Sequence, residues 1–302
     1  MSYPDVPSSE FRVSSGPDID RRPRNSTHAV PSSLYSEEIV VGFAGPDYGD
    51  FVASGGERLR PRLARSLDLA GLNHGIHLLD LGCGRGEVAA HAALHGARVT
   101  AVDYSPDCVR LTQEAVHLVE EQRGMVGLDV RTALADATAL PFRDCTFDRV
   151  TMLDVVEHLY PVQLRQTLCE VRRVLKPGGY AVIHTVPNRW ALAYGYPMLR
   201  LARPSLPADP RTVYEHQVHV NEQDVVSLAR ALRSAGLRSR IWLENLTVEQ
   251  ARWQQRSEAF ADVRGASYGF FRHPAIRALA RLALRTPLKL IACNDIYAIA
   301  WR

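Results

Sequence analysis

In its first third the chain reads Leu78-Leu79-Asp80-Leu81-Gly82-Cys83-Gly84-Arg85-Gly86. The apolar start of this segment is typical of a buried strand, and three closely spaced glycines follow it. Glycine lets the backbone approach a ligand closely just before a helix begins. The segment therefore predicts a strand, a ligand-binding turn and a helix.

Outward from this segment, short apolar runs alternate with helical segments, which is typical of βαβ units and a parallel sheet. Strands are predicted at 77–81, 98–103, 130–135, 148–153, 180–186, 238–246 and 295–301. Helices are predicted at 87–95, 106–123, 161–175 and 221–235. The run Lys176-Pro177-Gly178-Gly179 is predicted to end a helix and turn the chain into the next strand.

The composition is that of a globular protein: 302 residues, of which 46% are hydrophobic and 23% charged. No run of 18 or more apolar residues could span a bilayer, and no secretory signal pattern is present, so a cytoplasmic location is expected. The net charge of +3 is too small to indicate nucleic-acid binding. The five cysteines are scattered without a C-x-x-C pair, so neither a disulfide framework nor a metal site is expected.

Three segments fall outside the regular alternation. Residues 1–33 hold eight serines and five prolines and are predicted to be a disordered tail, which leaves 34–302 as one domain. Insertions at about 187–217 and 247–293 are predicted to cap the site. Within the second, residues 272–290 carry cations at helical spacing, which fits either a cap helix with solvated arginines or peripheral contact with a membrane.

A carboxylate follows the second predicted strand. Asp103 lies 21 residues after Gly82, where it can accept hydrogen bonds from two ribose hydroxyls. A dinucleotide fold would instead want G-x-G-x-x-G, whereas the spacing here is G-x-G-x-G. Glu87, in the first turn of the following helix, would also repel a pyrophosphate. A nucleoside cofactor without phosphate is therefore favoured.

Five ordered motifs between Leu78 and Val186 resemble those of the class I S-adenosylmethionine-dependent methyltransferases. They are the glycine segment 78–86, Val102-Asp103-Tyr104-Ser105, Asp136-Ala137 with Leu140-Pro141-Phe142, the strand 147–153 with Asp154-Val155-Val156-Glu157-His158, and the segment 171–179. The resemblance implies an α/β, Rossmann-like fold: a seven-stranded, mostly parallel sheet with an antiparallel last strand and helical cap insertions.

The resemblance also implies a cofactor, S-adenosylmethionine, and residues that bind it. Asp80 and the glycine backbone would face the methionine moiety, together with a backbone carbonyl near Leu153. Asp103 would hold the ribose, and Tyr104 would cover one face of the adenine. Asp136 would accept a hydrogen bond from the adenine amine, while the Ala137 N–H would donate one to the ring. The full set is Asp80, Gly82, Gly84, Gly86, Asp103, Tyr104, Asp136, Ala137 and Leu153.

Histidines are the candidates for a general base, because the imidazole pKa lies near neutral pH. His158, His216 and His219 are the predicted catalytic residues, and Glu157 and His184 fall in the same part of the sequence. A metal site built on the two later histidines with Glu215 or Asp224 lacks further ligands, so no metal is predicted.

The predicted reaction is methyl transfer from S-adenosylmethionine to a small-molecule acceptor, most simply a hydroxyl. A glycosylated, polyketide-like, lipid or quinone-type metabolite would suit a capped site. Two alternatives remain open: a nucleic-acid or protein methyltransferase, and a non-catalytic protein that binds S-adenosylmethionine. The sequence shows no binding module or interleaved basic and aromatic surface for the first, and its intact glycine motif counts against lost binding in the second.

Overall fold

The computed structural model describes residues 29–42, 47–202, 204–244, 278, 282 and 284–302. Most of the predicted tail, of the insertion at 247–293 and of the cationic segment at 272–290 lies outside these residues. Within the described part of the chain, no helix is both long and apolar enough to cross a bilayer.

Seven strands form one sheet in the order β3-β2-β1-β4-β5-β7-β6. The strands are β1 (His77–Leu81), β2 (Arg98–Asp103), β3 (Val130–Leu134), β4 (Phe147–Leu153), β5 (Leu175–Thr185), β6 (Arg238–Glu244) and β7 (Asp295–Trp301). The first five pair in parallel, and β7 runs antiparallel to both β5 and β6. This is the predicted Rossmann-like sheet, with its last strand antiparallel.

Ten helices are described. They are α1 (Glu37–Gly42), α2 (Asp47–Ala53), α3 (Pro61–Ala70), α4 (Glu87–Leu94), α5 (Pro106–Arg123), α6 (Pro161–Val174), α7 (Tyr196–Ala202), α8 (Val213–Val218), α9 (Val225–Ser234) and α10 (Lys289–Ala292). Short 3-10 turns at Ser32–Tyr35 and Val156–His158, and a π-helical turn at Ala191–Gly195, complete the described helical segments.

Helices cover both faces of the sheet, so the central strands are buried on both sides. On β1, Leu79 and Leu81 pack in the apolar cluster that contains α6 and α9, whereas Leu78 packs in the cluster that contains α4. Alternate residues of a strand point to opposite faces, so apolar residues on both faces of β1 match the helices on both sides of the sheet. Because both faces of the sheet are covered, its polar residues can meet a ligand at the carboxyl ends of the strands.

Local signals explain where the helices begin. The Ser105 hydroxyl accepts a hydrogen bond from the Cys108 amide, and Pro106 occupies the first turn of α5. Helix α9 begins at Val225 rather than at residue 221 as predicted. The Asp224 carboxylate caps it by accepting from the amides of Val226 and Ser227, at 2.9 and 2.8 Å.

The turn predicted at Lys176 to Gly179 is wrong, because this run belongs to β5. Phe147 pairs with Leu175 and Arg149 pairs with Tyr180, so β5 advances five residues while β4 advances two. The surplus residues form an irregularity in the strand, at which Gly178 takes a φ of +79°. The Pro-Gly-Gly chemistry therefore produces a bulge within the strand instead of a loop before it.

The last five residues of the predicted tail are ordered. Val30 is buried against Tyr160 and Val218, and the turn at Ser32–Tyr35 follows it. Residues 29–33 therefore belong to the folded part of the chain. Two residues further on, Tyr35 lines a cavity at the edge of the sheet.

Candidate active site

A cavity of about 460 Å³ opens at the carboxyl ends of β1, β2 and β4. Ligands of open parallel α/β sheets bind in this position, where neighbouring connections leave in opposite directions. Of the nine residues predicted to bind the cofactor, eight line the cavity: Asp80, Gly82, Gly84, Asp103, Tyr104, Asp136, Ala137 and Leu153.

The glycine turn after β1 needs left-handed backbone. Gly82, Gly84 and Gly86 have φ values of +81°, +54° and +81°, which favour glycine. A Cβ on Gly84 would have no atom of the described residues within 4 Å, apart from those of its two chain neighbours, so this residue keeps space open beside the cavity. The amides of Gly82 and Cys83 donate to the Val102 carbonyl at 2.8 and 3.0 Å, which fixes the turn against β2.

Gly86 is placed differently from the other two glycines of the turn. It does not line the cavity; a Cβ there would lie 2.6 Å from the Thr112 Cα in α5. Its lack of a side chain therefore allows α4 and α5 to pack closely. The same sequence motif thus contains cavity-lining glycines and one packing glycine.

Asp80 presents an unsatisfied oxygen to the cavity. Its Oδ1 accepts a hydrogen bond from the Thr151 hydroxyl at 2.9 Å, while Oδ2 has no hydrogen-bond partner among the described residues. Burial raises the pKa of this carboxyl to about 7. A buried acceptor without a partner is costly, and a cationic ligand such as an ammonium group would satisfy it.

Asp103 is held in place by backbone amides. Its Oδ2 accepts from the Gly84 amide at 3.2 Å, and its Oδ1 from the Ser105 amide at 2.9 Å. Burial raises the pKa of Asp103, although these hydrogen bonds oppose the shift. Each oxygen retains a second lone pair, so the carboxylate can still accept from two ligand hydroxyls.

The adenine side of the predicted site is more open. Tyr104 is 38% exposed, and its hydroxyl donates to the Val30 carbonyl at 3.1 Å. Asp136 accepts from the Thr138 amide and hydroxyl through the same oxygen, Oδ1, both at 2.8 Å. These two contacts with Thr138, within the same loop, orient the Asp136 carboxylate.

Glu157, His158 and His219 also line the cavity. His158 Nδ1 lies 2.9 Å from the Tyr35 hydroxyl and 3.2 Å from the Val218 carbonyl oxygen. Burial, and then the neighbouring His219, lowers the pKa of His158 to about 3, so its imidazole is neutral. The two imidazole rings meet edge to face, with centroids 5.0 Å apart.

Glu157 is deeply buried beside the two histidines. It is 1% exposed, and its Oε2 accepts from the Thr185 hydroxyl at 2.7 Å. Burial, and then the negative charge of Asp154, raises the pKa of Glu157 to about 8. Glu157 thus joins His158 and His219 as a group that can bind a ligand or exchange a proton.

Two other histidines lie elsewhere. His216 does not line the cavity; it is exposed, and its Nε2 lies 3.3 Å from Asp209 Oδ2. The structure therefore does not bring it together with His158 and His219. His184 is fully buried between two carboxylates, with Nδ1 2.5 Å from Asp154 and Nε2 3.1 Å from Asp295.

Tyr35 was missed by sequence reasoning, which placed no site residue before β1. Its ring lies edge to face with Tyr104 and with His158, with both centroid distances 5.6 Å. Both its ring and that of Tyr104 line the cavity. The available signal was the cluster of apolar residues at Val30, Leu34 and Tyr35, directly after a segment rich in serine and proline.

Comparison with known proteins agrees with this geometry. Residues 79–183 match the sequence profile of a methyltransferase domain family. An uncharacterised protein of Mycobacterium tuberculosis is 31% identical over 182 residues, which are 59% of this chain and 61% of that protein. The methyltransferase GfsG of Streptomyces halstedii is 30% identical over 53% of this chain and 55% of its own length. The demethylmenaquinone methyltransferase of Clavibacter sepedonicus is 34% identical over 55% of this chain and 66% of its own length.

Solved structures share the fold at lower identity. Phosphoethanolamine N-methyltransferase 2 of Haemonchus contortus, solved with S-adenosyl-L-methionine, has a TM-score of 0.58 and 18% identity over 92% of this chain and 60% of its own. A chain from the complex of the Haloferax volcanii Trm112 activator with a methyltransferase has a TM-score of 0.53 and 14% identity, over 91% of this chain and 99% of its own.

The sheet order, the glycine turn and the matched family define a class. Residues 79–183 form a methyltransferase domain, and the sheet has the order of the class I S-adenosylmethionine-dependent methyltransferases. The chain spans only 55% to 61% of the length of the first curated relatives it matches. The cofactor of this class is S-adenosylmethionine, and the residues present fit it. Asp80 offers an unsatisfied buried oxygen for the ammonium, and Asp103 offers two oxygens for the ribose.

Proposed function

We propose that the protein transfers the methyl group of S-adenosylmethionine to a hydroxyl of a small-molecule acceptor and releases S-adenosylhomocysteine. The observation that carries the proposal is a single cavity shared by two groups of residues. One group, at the ends of β1 and β2, suits the cofactor. The other, Glu157 with His158 and His219, suits the acceptor.

The cofactor residues have distinct roles in this proposal. Asp80 accepts from the ammonium of the methionine moiety through Oδ2, while Thr151 fixes its other oxygen. Asp103 binds the ribose hydroxyls, and the Gly84 and Ser105 amides keep its carboxylate in position. Tyr104 and the loop at Asp136 and Ala137 contact the adenine.

The bound cofactor supplies a methyl group that is already activated on a sulfonium, so the protein chiefly has to align the acceptor with it. As the acceptor oxygen bonds to the methyl carbon, the carbon–sulfur bond breaks and the sulfonium becomes a thioether. The hydroxyl proton must leave. We assign the cluster of Glu157, His158 and His219 to hold that hydroxyl and receive its proton.

The acceptor class is proposed to be a metabolite of the glycosylated, polyketide-like, lipid or quinone type. The name of the Clavibacter sepedonicus relative, a demethylmenaquinone methyltransferase, supports a quinone-type acceptor. The segment that follows β5 also supports an enclosed acceptor, because Tyr214 and Glu215 from α8 line the cavity. We propose that the protein is cytoplasmic, as predicted from the sequence. Peripheral membrane contact through 272–290 stays a prediction.

The test is transfer of radiolabelled methyl from S-adenosylmethionine into extracts of the source cell that lacks this gene. The extract is separated into small-molecule, lipid, protein and nucleic-acid fractions. We expect label in the small-molecule or lipid fraction, and none with an Asp103→Ala variant purified in the same way. Label in protein or nucleic acid would show that the acceptor is a macromolecule and not a metabolite. Cofactor binding without transfer to any fraction would show that the protein binds S-adenosylmethionine without catalysing methyl transfer.

A further inference from the structure

We propose that Glu157, His158 and His219 form a binding site for a divalent transition-metal ion at the acceptor end of the cavity. One potential ligand atom from each of these side chains lies within 4.8 Å of the other two. The sequence predicted no metal, because a site on His216 and His219 lacked further ligands. Glu157 and His158 lie about 60 residues before His219 in the chain. Only the fold brings the three together.

The spacing suits one ion. Metal–nitrogen and metal–carboxylate bonds are about 2.0 to 2.2 Å long, so two ligand atoms of one ion lie at most about 4.4 Å apart. The three ligand atoms lie within 4.8 Å of one another, so at most a few tenths of an ångström separate them from that limit. His219 lines the open cavity and its Nδ1 has no hydrogen-bond partner among the described residues, so a small rotation of this side chain can bring the three atoms to bonding distance of one ion.

The contacts of His158 prepare it for metal binding. The Val218 carbonyl can only accept a hydrogen bond, so its 3.2 Å contact with Nδ1 requires the hydrogen to be on Nδ1. In the neutral imidazole Nε2 then carries the free lone pair. Histidines that ligate metals commonly donate their other N–H to a backbone carbonyl in this way, which fixes both tautomer and ring orientation.

The other two side chains each present a buried atom without a partner. In the described part of the chain, neither Glu157 Oε1 nor His219 Nδ1 has a hydrogen-bond partner. Glu157 is 1% exposed, and Thr185 orients its carboxylate through Oε2. Unsatisfied buried polar atoms destabilise a fold, and a shared cation would satisfy both at once.

Two imidazoles and one carboxylate form a donor set that favours zinc, iron, manganese or cobalt over magnesium or calcium. Three protein ligands leave further coordination positions for substrate, as in catalytic metal sites. The inference rests on the proposed function only for the role of the ion in methyl transfer, and not for its binding. A bound ion would hold the acceptor oxygen and lower the pKa of its hydroxyl, so that the hydroxyl proton would pass to solvent water and the imidazoles would bind the metal instead of receiving it.

A second histidine pair has to be removed before the site can be measured. Glu57, His91 and His95 also come within 4.8 Å of one another. The Glu57 carboxylate already pairs with Arg123 at 2.6 Å, and His91 Nδ1 lies 2.7 Å from the Gly56 carbonyl oxygen. This surface group makes a weaker candidate, and the double substitution H91Q/H95Q removes its imidazoles.

The experiment titrates Co²⁺ into the full chain carrying H91Q/H95Q, after treatment with a chelator, and follows the visible absorption of bound Co²⁺. We expect one ion per chain, displaced by Zn²⁺. His219→Gln should weaken binding at least tenfold, and so should Glu157→Gln. The matched control is His216→Gln, in the same short segment but outside the cavity, which should leave the affinity unchanged. Circular dichroism and S-adenosylmethionine affinity report whether each variant is folded.

Two results would overturn the inference. One is that the chain carrying H91Q/H95Q binds no Co²⁺ or Zn²⁺. The other is equal affinity for the ion in the His219→Gln and His216→Gln variants, both folded. Neither result depends on turnover, so they can be separated from failure of the proposed function. One ion at this site with no methyl transfer to any extract fraction would retain the metal site and refute the transferase activity.

Discussion

The imidazole of His184 joins two carboxylates in the interior of the protein, with Nδ1 2.5 Å from Oδ1 of Asp154. Its Nε2 lies 3.1 Å from Asp295, and Asp154 in turn accepts from Arg62 at 2.7 Å. The group connects α3, the segment after β4, β5 and β7. Asp154 has a φ of +56° and directly precedes the segment that carries Glu157 and His158. These ion pairs therefore hold the acceptor side of the site against the sheet.

This arrangement makes stability depend on pH. Burial alone would lower the pKa of His184, but Asp154 and Asp295 raise it from 6.5 to about 9. A group whose pKa is raised in the folded state stabilises it below the unfolded pKa, and this contribution disappears as the pH rises through the folded pKa. The free energy of unfolding should therefore fall by about 3 kcal/mol between about pH 6.5 and pH 9. Urea denaturation across this range measures it.

The matched variants are His184→Gln and His117→Gln. The first removes the buried cation and should flatten the fall in unfolding free energy. The second changes an exposed histidine and should leave the wild-type pH dependence in place. If wild type and His184→Gln lose stability in parallel above neutral pH, His184 is not charged in the folded protein.

Asp103→Asn should weaken the binding of S-adenosylmethionine. The substitution removes the negative charge and one acceptor that would face the ribose. Hydrogen bonds to charged groups contribute about 1.5 to 3 kcal/mol, so the dissociation constant should rise roughly ten- to hundredfold. Calorimetric titration measures it, with Asp144→Asn as control, because Asp144 is exposed and pairs with Arg173 instead of lining the cavity. Equal affinities in the two variants would refute the ribose assignment.

Gly84→Ala and Gly86→Ala should separate ligand binding from packing. Both glycines have positive φ, which costs alanine roughly 1 to 2 kcal/mol. At Gly86 the new Cβ also meets Thr112 at 2.6 Å, and overpacking adds about 1 to 3 kcal/mol. Gly86→Ala should therefore be the less stable variant in chemical denaturation. Gly84→Ala should lose cofactor affinity while remaining folded. If Gly84→Ala is instead the less stable variant and Gly86→Ala loses cofactor affinity, then Gly86 serves the ligand and Gly84 the packing.

The sequence predicts most of the sheet because its signals are local. The bounds of β1, β2, β7 and α5 agree with the structure to the residue, since apolar runs and caps mark them. The acceptor side is different. His216 and His219 are three residues apart in and after the six-residue α8, and only one of them lines the cavity. So short a helix gives no periodicity from which its orientation can be predicted.

Tyr35→Ala should weaken cofactor binding and Tyr35→Phe should not. The ring of Tyr35 packs edge to face against Tyr104 and His158, and aromatic pairs of this kind contribute about 0.5 to 1.5 kcal/mol each. Removing the ring frees Tyr104, which should raise the dissociation constant for S-adenosylmethionine by roughly threefold to tenfold, measured by calorimetry. Phenylalanine keeps the ring and loses only the hydroxyl beside His158. Equal losses in both variants would show that the hydroxyl, and not the ring, supports the cofactor side of the site.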